Sequence, residues 1–176
     1  IETTADLLYP GVPLVVVGRM SSYVWGLSKA RPSFYFSVPS DEFSEEFLAD
    51  FRAHYLDTMC RLSSKHPVYV VRPIPEMELD VPTVMGRALL MGKTREVSIP
   101  VEAYRKRHAF VWALQDEAVE RCGVQLLDPL PYLCGQQNCR SSLEGRPLYR
   151  DADHLSEFGN RLLLPMFKQI FEQDLK

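Results

Sequence analysis

Pro67-Val68-Tyr69-Val70-Val71-Arg72 is a strand written almost wholly in apolar, β-favouring residues. A strand with one wet face alternates apolar and polar side chains. A run without alternation suits a strand covered on both faces, as in a parallel sheet between helices. Two further runs share the character, Pro13 to Gly18 (PLVVVG) and Val124 to Asp128 (VQLLD). Working outward from them, the intervening segments carry the helical period. Between Ser40 and Ser64, the residues Phe43, Phe47, Leu48, Phe51, Tyr55, Leu56, Met59 and Leu62 recur at three- and four-residue spacing, and Ser40 before Asp41 and Glu42 predicts the N-cap. Pro100 to Cys122 repeats the pattern with Tyr104, Val111, Trp112, Ala118 and Val119, closed by Gly123. A last helix is expected over Glu157 to Leu175, with Phe158, Leu162, Met166, Phe167 and Ile170 inward and a kink at Pro165. Residues 77–100 read as an excursion with a short helical stretch near Thr83 to Met91.

Strands that alternate with helices make crossover units, and so an α/β fold with a parallel sheet. In such sheets chemistry gathers at the carboxyl ends of the strands. Here those ends are Gly18-Arg19-Met20-Ser21-Ser22, Arg72-Pro73-Ile74-Pro75-Glu76 and Asp128-Pro129.

Length and charge narrow the field. A chain of 176 residues suits one domain, and folding at that size covers roughly 70% of the surface of the unfolded chain. Charged residues at 24%, hydrophobic residues at 46% and a net charge of −3 describe an ordinary globular composition. A mildly acidic chain has no general pull toward nucleic acid or anionic lipid. The densest basic run, Arg105 to Arg107, is explained by a helix face. The longest apolar stretch, Val12 to Val17, is strand-sized and interrupted by Pro13, far short of a membrane span. The first residue is Ile1 rather than Met, so an N-terminus made by cutting is expected.

The four cysteines divide into two kinds. Cys60 and Cys122 fall in helical patterns and read as small buried hydrophobes. Cys134-Gly-Gln-Gln-Asn-Cys139 is a short polar loop. A local disulfide, a free thiol pair and a metal site all compete there, the last without a second Cys/His pair at ligand spacing.

The sharpest constellation is Tyr149-Arg150-Asp151-Ala152-Asp153-His154-Leu155-Ser156. A carboxylate three residues before a histidine can accept a hydrogen bond from one ring nitrogen while the other faces outward. It then fixes the tautomer and stabilises the imidazolium when the ring takes a proton. Such a base is what a serine hydroxyl needs before it attacks an acyl carbonyl. The competing readings are a helix entrance, with Asp153 or Ser156 as cap and His154 merely exposed, and a metal site of Asp151, Asp153 and His154.

The run from Leu148 to Ser156, followed by Gly159, resembles the final block of the SGNH hydrolase superfamily. It is most similar to the periplasmic SGNH domains fused to acyltransferase family 3 membrane proteins. The paired cysteines upstream, the strand ending VVVGRMSSY and the strand ending Pro-Ile-Pro-Glu agree, so the resemblance runs from about Val12 to Gln173. It implies a three-layer α/β/α sandwich with a flavodoxin-like parallel sheet, and a Ser-His-Asp triad whose last two members fall on His154 and Asp151. The family's nucleophile sits in a Gly-Asp-Ser block near the domain's N-terminus, and no Gly-Asp-Ser occurs in this chain. The resemblance therefore implies that residues 1–176 are an SGNH-like domain that is N-terminally incomplete, without its first strand, and that the serine lies before Ile1. Ser21 and Ser22 follow a strand, but their segment resembles a later strand of these domains. Gly18 and Arg19 are the nearest candidates to line the site or an oxyanion hole, the usual Gly-x-Asn-Asp block being missing.

The function so implied is extracytoplasmic O-acyl transfer. A membrane acyltransferase domain of the same polypeptide would deliver an acyl group, usually acetyl, on the periplasmic side of the bacterial inner membrane. The SGNH domain would pass it to a hydroxyl of an envelope glycan such as lipopolysaccharide, with no cofactor or metal. An acyl esterase and a catalytically silent remnant that binds glycan or a partner are the alternatives. The remaining candidates have plain readings. His108 is surface or core filler, His54 and His66 have no carboxylate at useful spacing, Trp25 and Trp112 are core, and Arg72 and Glu76 are strand-end charges that could line a cleft.

Overall fold

The computed structural model describes residues 2–26 and 44–172. In chain order its elements are α1 (Glu2–Leu8), β1 (Leu14–Val16), α2 (Met20–Trp25), α3 (Glu45–Ser63), β2 (Val68–Val71), α4 (Val81–Leu90), β3 (Ser98–Pro100), α5 (Val101–Cys122), β4 (Gln125–Leu127), α6 (Leu130–Leu133), β5 (Asn138–Arg140), β6 (Ser142–Leu143), β7 (Arg146–Pro147), α7 (Glu157–Arg161) and α8 (Leu164–Glu172). They fall into two compact units. The first is Ile1–Pro73 with His108–Leu127, and the second is Ile74–Arg107 with Asp128–Lys176.

The first unit holds the parallel sheet, in the order β1-β2-β4. Leu14 pairs with Val68 and Val16 with Val70, while Val70 pairs in turn with Leu126. All four residues of β2 are buried, which is why its sequence lacks alternation. Val68 and Val70 join one core with Phe47, Phe51, Tyr55 and Met59 of α3 and Val111, Leu114 and Ala118 of α5. Each such side chain removed from water contributes roughly 1.5–3 kcal/mol. The helix α3 enters at Ser44, whose hydroxyl accepts from the Phe47 N–H at 3.1 Å. Ser40 and Phe43 lie outside the described residues. Across the outer surface, Arg52 of α3 makes two bonds to Glu117 of α5, at 2.7 and 2.5 Å.

Four expectations are corrected in this unit. Cys60 and Cys122 are not lone buried hydrophobes, since they form a disulfide between the carboxyl ends of α3 and α5. Each lies in the apolar stripe of its own helix, so only the helices' adjacency pairs them. His66 does have a carboxylate. Its ring is buried, with Nε2 3.0 Å from Asp6 of α1 and Nδ1 2.9 Å from the Val12 carbonyl. Lys65 completes the cluster by pairing with the same Asp6, whose pKa is lowered chiefly by that hydrogen bond. His54 lies 3.4 Å from Asp50, one helical turn earlier. Val119, read as inward, is exposed.

The second unit is built of small pieces. Strands β3 and β5 pair antiparallel, with Ile99 opposite Cys139. Cys139 is bonded to Cys134, closing the ring over the polar Gly135-Gln-Gln-Asn138 loop. Removing this small ring is expected to cost about 2 kcal/mol. Strands β6 and β7 form a hairpin whose turn residues, Glu144 and Gly145, take φ of 51° and 75°. Two consecutive left-handed residues give the turn twist that a tight hairpin needs. The helix α4 starts at Asp80, which accepts from the Thr83 N–H at 2.8 Å, with Pro82 in its first turn. The expected last helix is two helices. The chain breaks at Leu162 and Leu163, and Pro165 is the second residue of α8 rather than a kink within a longer one. Leu175 lies outside the described residues. No helix among the described residues is long and apolar enough to cross a membrane.

Candidate active site

Residues 148–156 form a strap whose two ends are pinned together. The Ser156 N–H donates to the Leu148 carbonyl at 2.8 Å, and the Arg150 N–H donates to the His154 carbonyl at 2.9 Å. Tyr149 at the base of the strap is fully buried, and its hydroxyl donates to the Pro75 carbonyl at 2.9 Å. Two more backbone bonds fasten the strap from the side, Met77 N–H to the Ala152 carbonyl at 2.7 Å and Val81 N–H to the Asp151 carbonyl at 3.3 Å. Pro73-Ile-Pro-Glu76 is thus the start of the segment that braces the strap.

Within the strap Asp151 does several jobs at once. One carboxylate oxygen accepts from the backbone N–H groups of Asp153 and His154 at 2.9 and 2.7 Å, which closes the loop by a side-chain turn. The other lies 2.8 Å from Nδ1 of His154. The Asp153 carboxylate approaches the same Nδ1 at 2.9 Å. Ionised carboxylates only accept, so Nδ1 carries the proton and Nε2 of the neutral ring keeps its lone pair. The His154 side chain is 41% exposed, which leaves it open to a reacting group. These three residues are also the described residues whose atoms come close enough together to hold a cation. A shared Nδ1 proton accounts for both short contacts.

Desolvation pushes the Asp151 pKa up, but the Asp153 and His154 N–H groups and the His154 ring outweigh it and bring the value down to about 2. A carboxylate depressed below its ordinary value near 3.8 contributes stability above that value, and the contribution is lost as pH falls through about 2. The stability gap between the wild type and Asp151→Asn should therefore be constant above about pH 5 and shrink between pH 4 and pH 2. Urea unfolding at a series of pH values reads this directly. A gap independent of pH would mean that Asp151 is not so held.

Ser156 caps α7, its hydroxyl accepting from the Gly159 N–H and donating to the Pro147 carbonyl, both at 3.1 Å. Asp153 is left for the histidine. The glycine at 159 is obligatory. A Cβ there would stand 2.1 Å from the Leu148 carbonyl oxygen, the acceptor that holds the strap closed. Gly159→Ala is expected to destabilise the fold by about 3 kcal/mol, since the obstacle is backbone that cannot rotate away. Chemical denaturation tests it, and a loss below about 0.5 kcal/mol, the usual effect of a surface change, would mean that α7 does not sit so close to the strap.

The other candidates are placed as follows. Gly18 and Arg19 belong to the first unit, and Asp151 and His154 to the second. Gly18 lines an apolar cavity of about 290 Å³ in the first unit, and the Arg19 carbonyl accepts from the Ser22 hydroxyl at 2.7 Å. Ser21 is fully buried, 2.6 Å from Nδ1 of His108, which is equally buried. His108 is therefore in the core, one of its two expected places, and is hydrogen-bonded there. Arg72 pairs with Asp116 and lies over the Trp112 ring at 4.8 Å, while Glu76 pairs with Arg107 at 2.9 Å. Both strand-end charges are engaged in structure. Asp153 was read from the sequence only as a helix cap or a metal ligand, and its approach to the His154 ring was not foreseen. The signal was present in Asp-x-Asp-His, but a helix cap explained it equally well until Ser156 filled that role.

A solved structure, that of the periplasmic domain of a lipopolysaccharide acetyltransferase from Salmonella ser. Paratyphi A, has a similar fold, with a TM-score of 0.56 at 15% identity. The match covers 99% of this chain and 60% of that one, so the chain spans less than two thirds of the length of the structure it matches. Among curated proteins none matches. The family model of the SGNH domain (fused to AT3 domains) matches residues 3–169, and the chain belongs to that family.

Proposed function

We propose that this chain is the part of an extracytoplasmic O-acyltransferase that holds the general base, with His154 as base and Asp151 as its orienting carboxylate. The observation that carries the reading is the Asp151–His154 contact of 2.8 Å, with Nδ1 engaged and the ring partly exposed. Membership of a family fused to AT3 domains supports an acyl group delivered within the same polypeptide. Two disulfides support an oxidising compartment such as the periplasm.

The chemistry runs in two transfers. A serine hydroxyl from a Gly-Asp-Ser segment outside this chain loses its proton to Nε2 of His154 and attacks the acyl carbonyl. His154, now an imidazolium stabilised by Asp151 and Asp153, returns the proton to the departing group, and an acyl-serine ester remains. A glycan hydroxyl then gives its proton to Nε2 and attacks the ester carbonyl. The serine leaves, reclaims the proton, and the acyl group, acetyl in this reading, stays on the sugar. An envelope polysaccharide such as lipopolysaccharide is the acceptor. Water in place of the glycan would make the protein an esterase, and the same residues serve both reactions.

The test extends the chain through its Gly-Asp-Ser segment and supplies a chromogenic acetyl ester. Turnover that depends on His154 is expected. A His154→Ala variant within about tenfold of wild type would refute the assignment, because removing a working base costs far more. Products formed with and without glycan separate the two acceptors. Acyl glycan is the expected product, and free acid alone in the presence of glycan would favour the esterase.

A further inference from the structure

We infer that the groove between β7 and the start of α7 is an acceptor subsite for a sugar bearing an anionic substituent, carboxylate or phosphate. The groove holds about 310 Å³ and is lined by Arg146, Pro147, Ser156, Glu157, Phe158 and Arg161, within the size range of small-ligand sites. Naming the ligand an acceptor rests on the acyl-transfer reading above; the binding itself does not.

Three observations carry the inference. First, the groove is built from the two ends of the strap that bears Asp151 and His154. Pro147 and Ser156 are joined by the Ser156 hydroxyl bond at 3.1 Å, and Ser156 follows His154 by two residues. A saccharide held there is anchored at the root of the catalytic loop. Second, the charge is unbalanced. Arg161 is paired with Glu157 at 2.6 Å, whereas Arg146 makes no ion pair among the described residues, so the charged lining of the groove holds two guanidinium groups against one carboxylate. Third, that guanidinium is held in orientation. Its carbon lies 4.1 Å from the centroid of the Phe158 ring. Stacking occupies the face of the guanidinium and leaves its N–H edge for hydrogen bonds, so less side-chain freedom is lost when an anion binds. A planar fork of this kind fits carboxylate or phosphate with two parallel bonds. Phe158 was expected to face inward, and its role as platform for Arg146 accounts for an aromatic residue only half covered at the surface.

The experiment titrates the chain with glucuronate, glucose 1-phosphate, inorganic phosphate and glucose, and follows amide resonances by NMR. Shifts at Arg146, Glu157 and Phe158 are expected with one or both anionic sugars, the responding arm naming carboxylate or phosphate. Neutral glucose should bind at least about tenfold more weakly, the scale of a lost charge-assisted hydrogen bond. Arg146→Gln should weaken anionic-sugar binding by about tenfold or more, and Arg146→Lys should recover only part, since it keeps the charge but not the fork. Both variants alter an exposed side chain, and their spectra report folding in the same measurement. The inference is overturned if no anionic sugar shifts these resonances, if glucose binds as well, or if Lys equals Arg. Inorganic phosphate binding as tightly as the sugars, an adventitious anion only, also overturns it. Binding without His154-dependent turnover, or turnover without binding, tells the failure of one proposal from that of the other.

Discussion

Replacing His154 with alanine is expected to lower acyl turnover by on the order of 10⁴-fold while leaving the fold intact. The size follows from the role that the proposed mechanism gives the residue in both half-reactions. Without Nε2 no group takes the serine proton, and none takes the proton of the acceptor. Binding and any oxyanion contacts still act, so a residual rate above the uncatalysed one persists. The fold should survive because the ring is 41% exposed and the loop is held by backbone bonds and by Asp151, not by the imidazole. Turnover of an acetyl ester by the serine-bearing extension, with urea unfolding of the same variant, separates the two effects. A variant both inactive and unfolded at much lower urea would assign His154 a structural role instead.

The second large effect concerns stability. Replacing both Cys60 and Cys122 with alanine is expected to cost about 4 kcal/mol, from the chain entropy of a loop spanning a sequence separation of 62. That loop is not simple. Its sequence contains Ile74–Arg107, the whole first segment of the second unit. The same change at Cys134 and Cys139, five positions apart, should cost about half as much. Denaturation of the two double variants side by side gives the comparison, and equal losses would show that loop length does not govern these bonds. Refolding under reducing conditions removes both bonds and should cost about as much as the two double variants together, about 6 kcal/mol.

The parallel sheet was legible because its strands are short apolar, β-branched runs, although burial on both faces holds only for β2, since Val15 of β1 and the following Val17 are exposed. PLVVVG, PVYVVR and VQLLD became β1, β2 and β4 at the centres of the expected runs. The helix α5 was legible through its entry at Pro100 and its exit at Gly123, which takes φ of 70°. Where two local signals competed, the reading went astray. Pro165 can kink a helix or begin one, and only the turn at Leu162 and Leu163 decides for beginning. Contacts between residues far apart in sequence left no mark at all. The pairs Asp6–His66 and Ser21–His108 are 60 and 87 positions apart, and each needs two elements already packed before it exists. The Asp151–His154 pair was readable for the opposite reason. It is local, and a three-residue spacing on a tight loop suffices to make it.

The central claim is that Asp151 and His154 act as one catalytic unit, and a double-mutant cycle tests it most directly. Turnover is measured for wild type, Asp151→Asn, His154→Ala and the double variant, each in the serine-bearing extension. Groups that work as a unit are grossly non-additive. The double variant is therefore predicted to be no slower than His154→Ala alone, because Asp151 has nothing to orient once the ring is gone. Losses that multiply, with the double variant slower by the product of the single effects, would contradict the account.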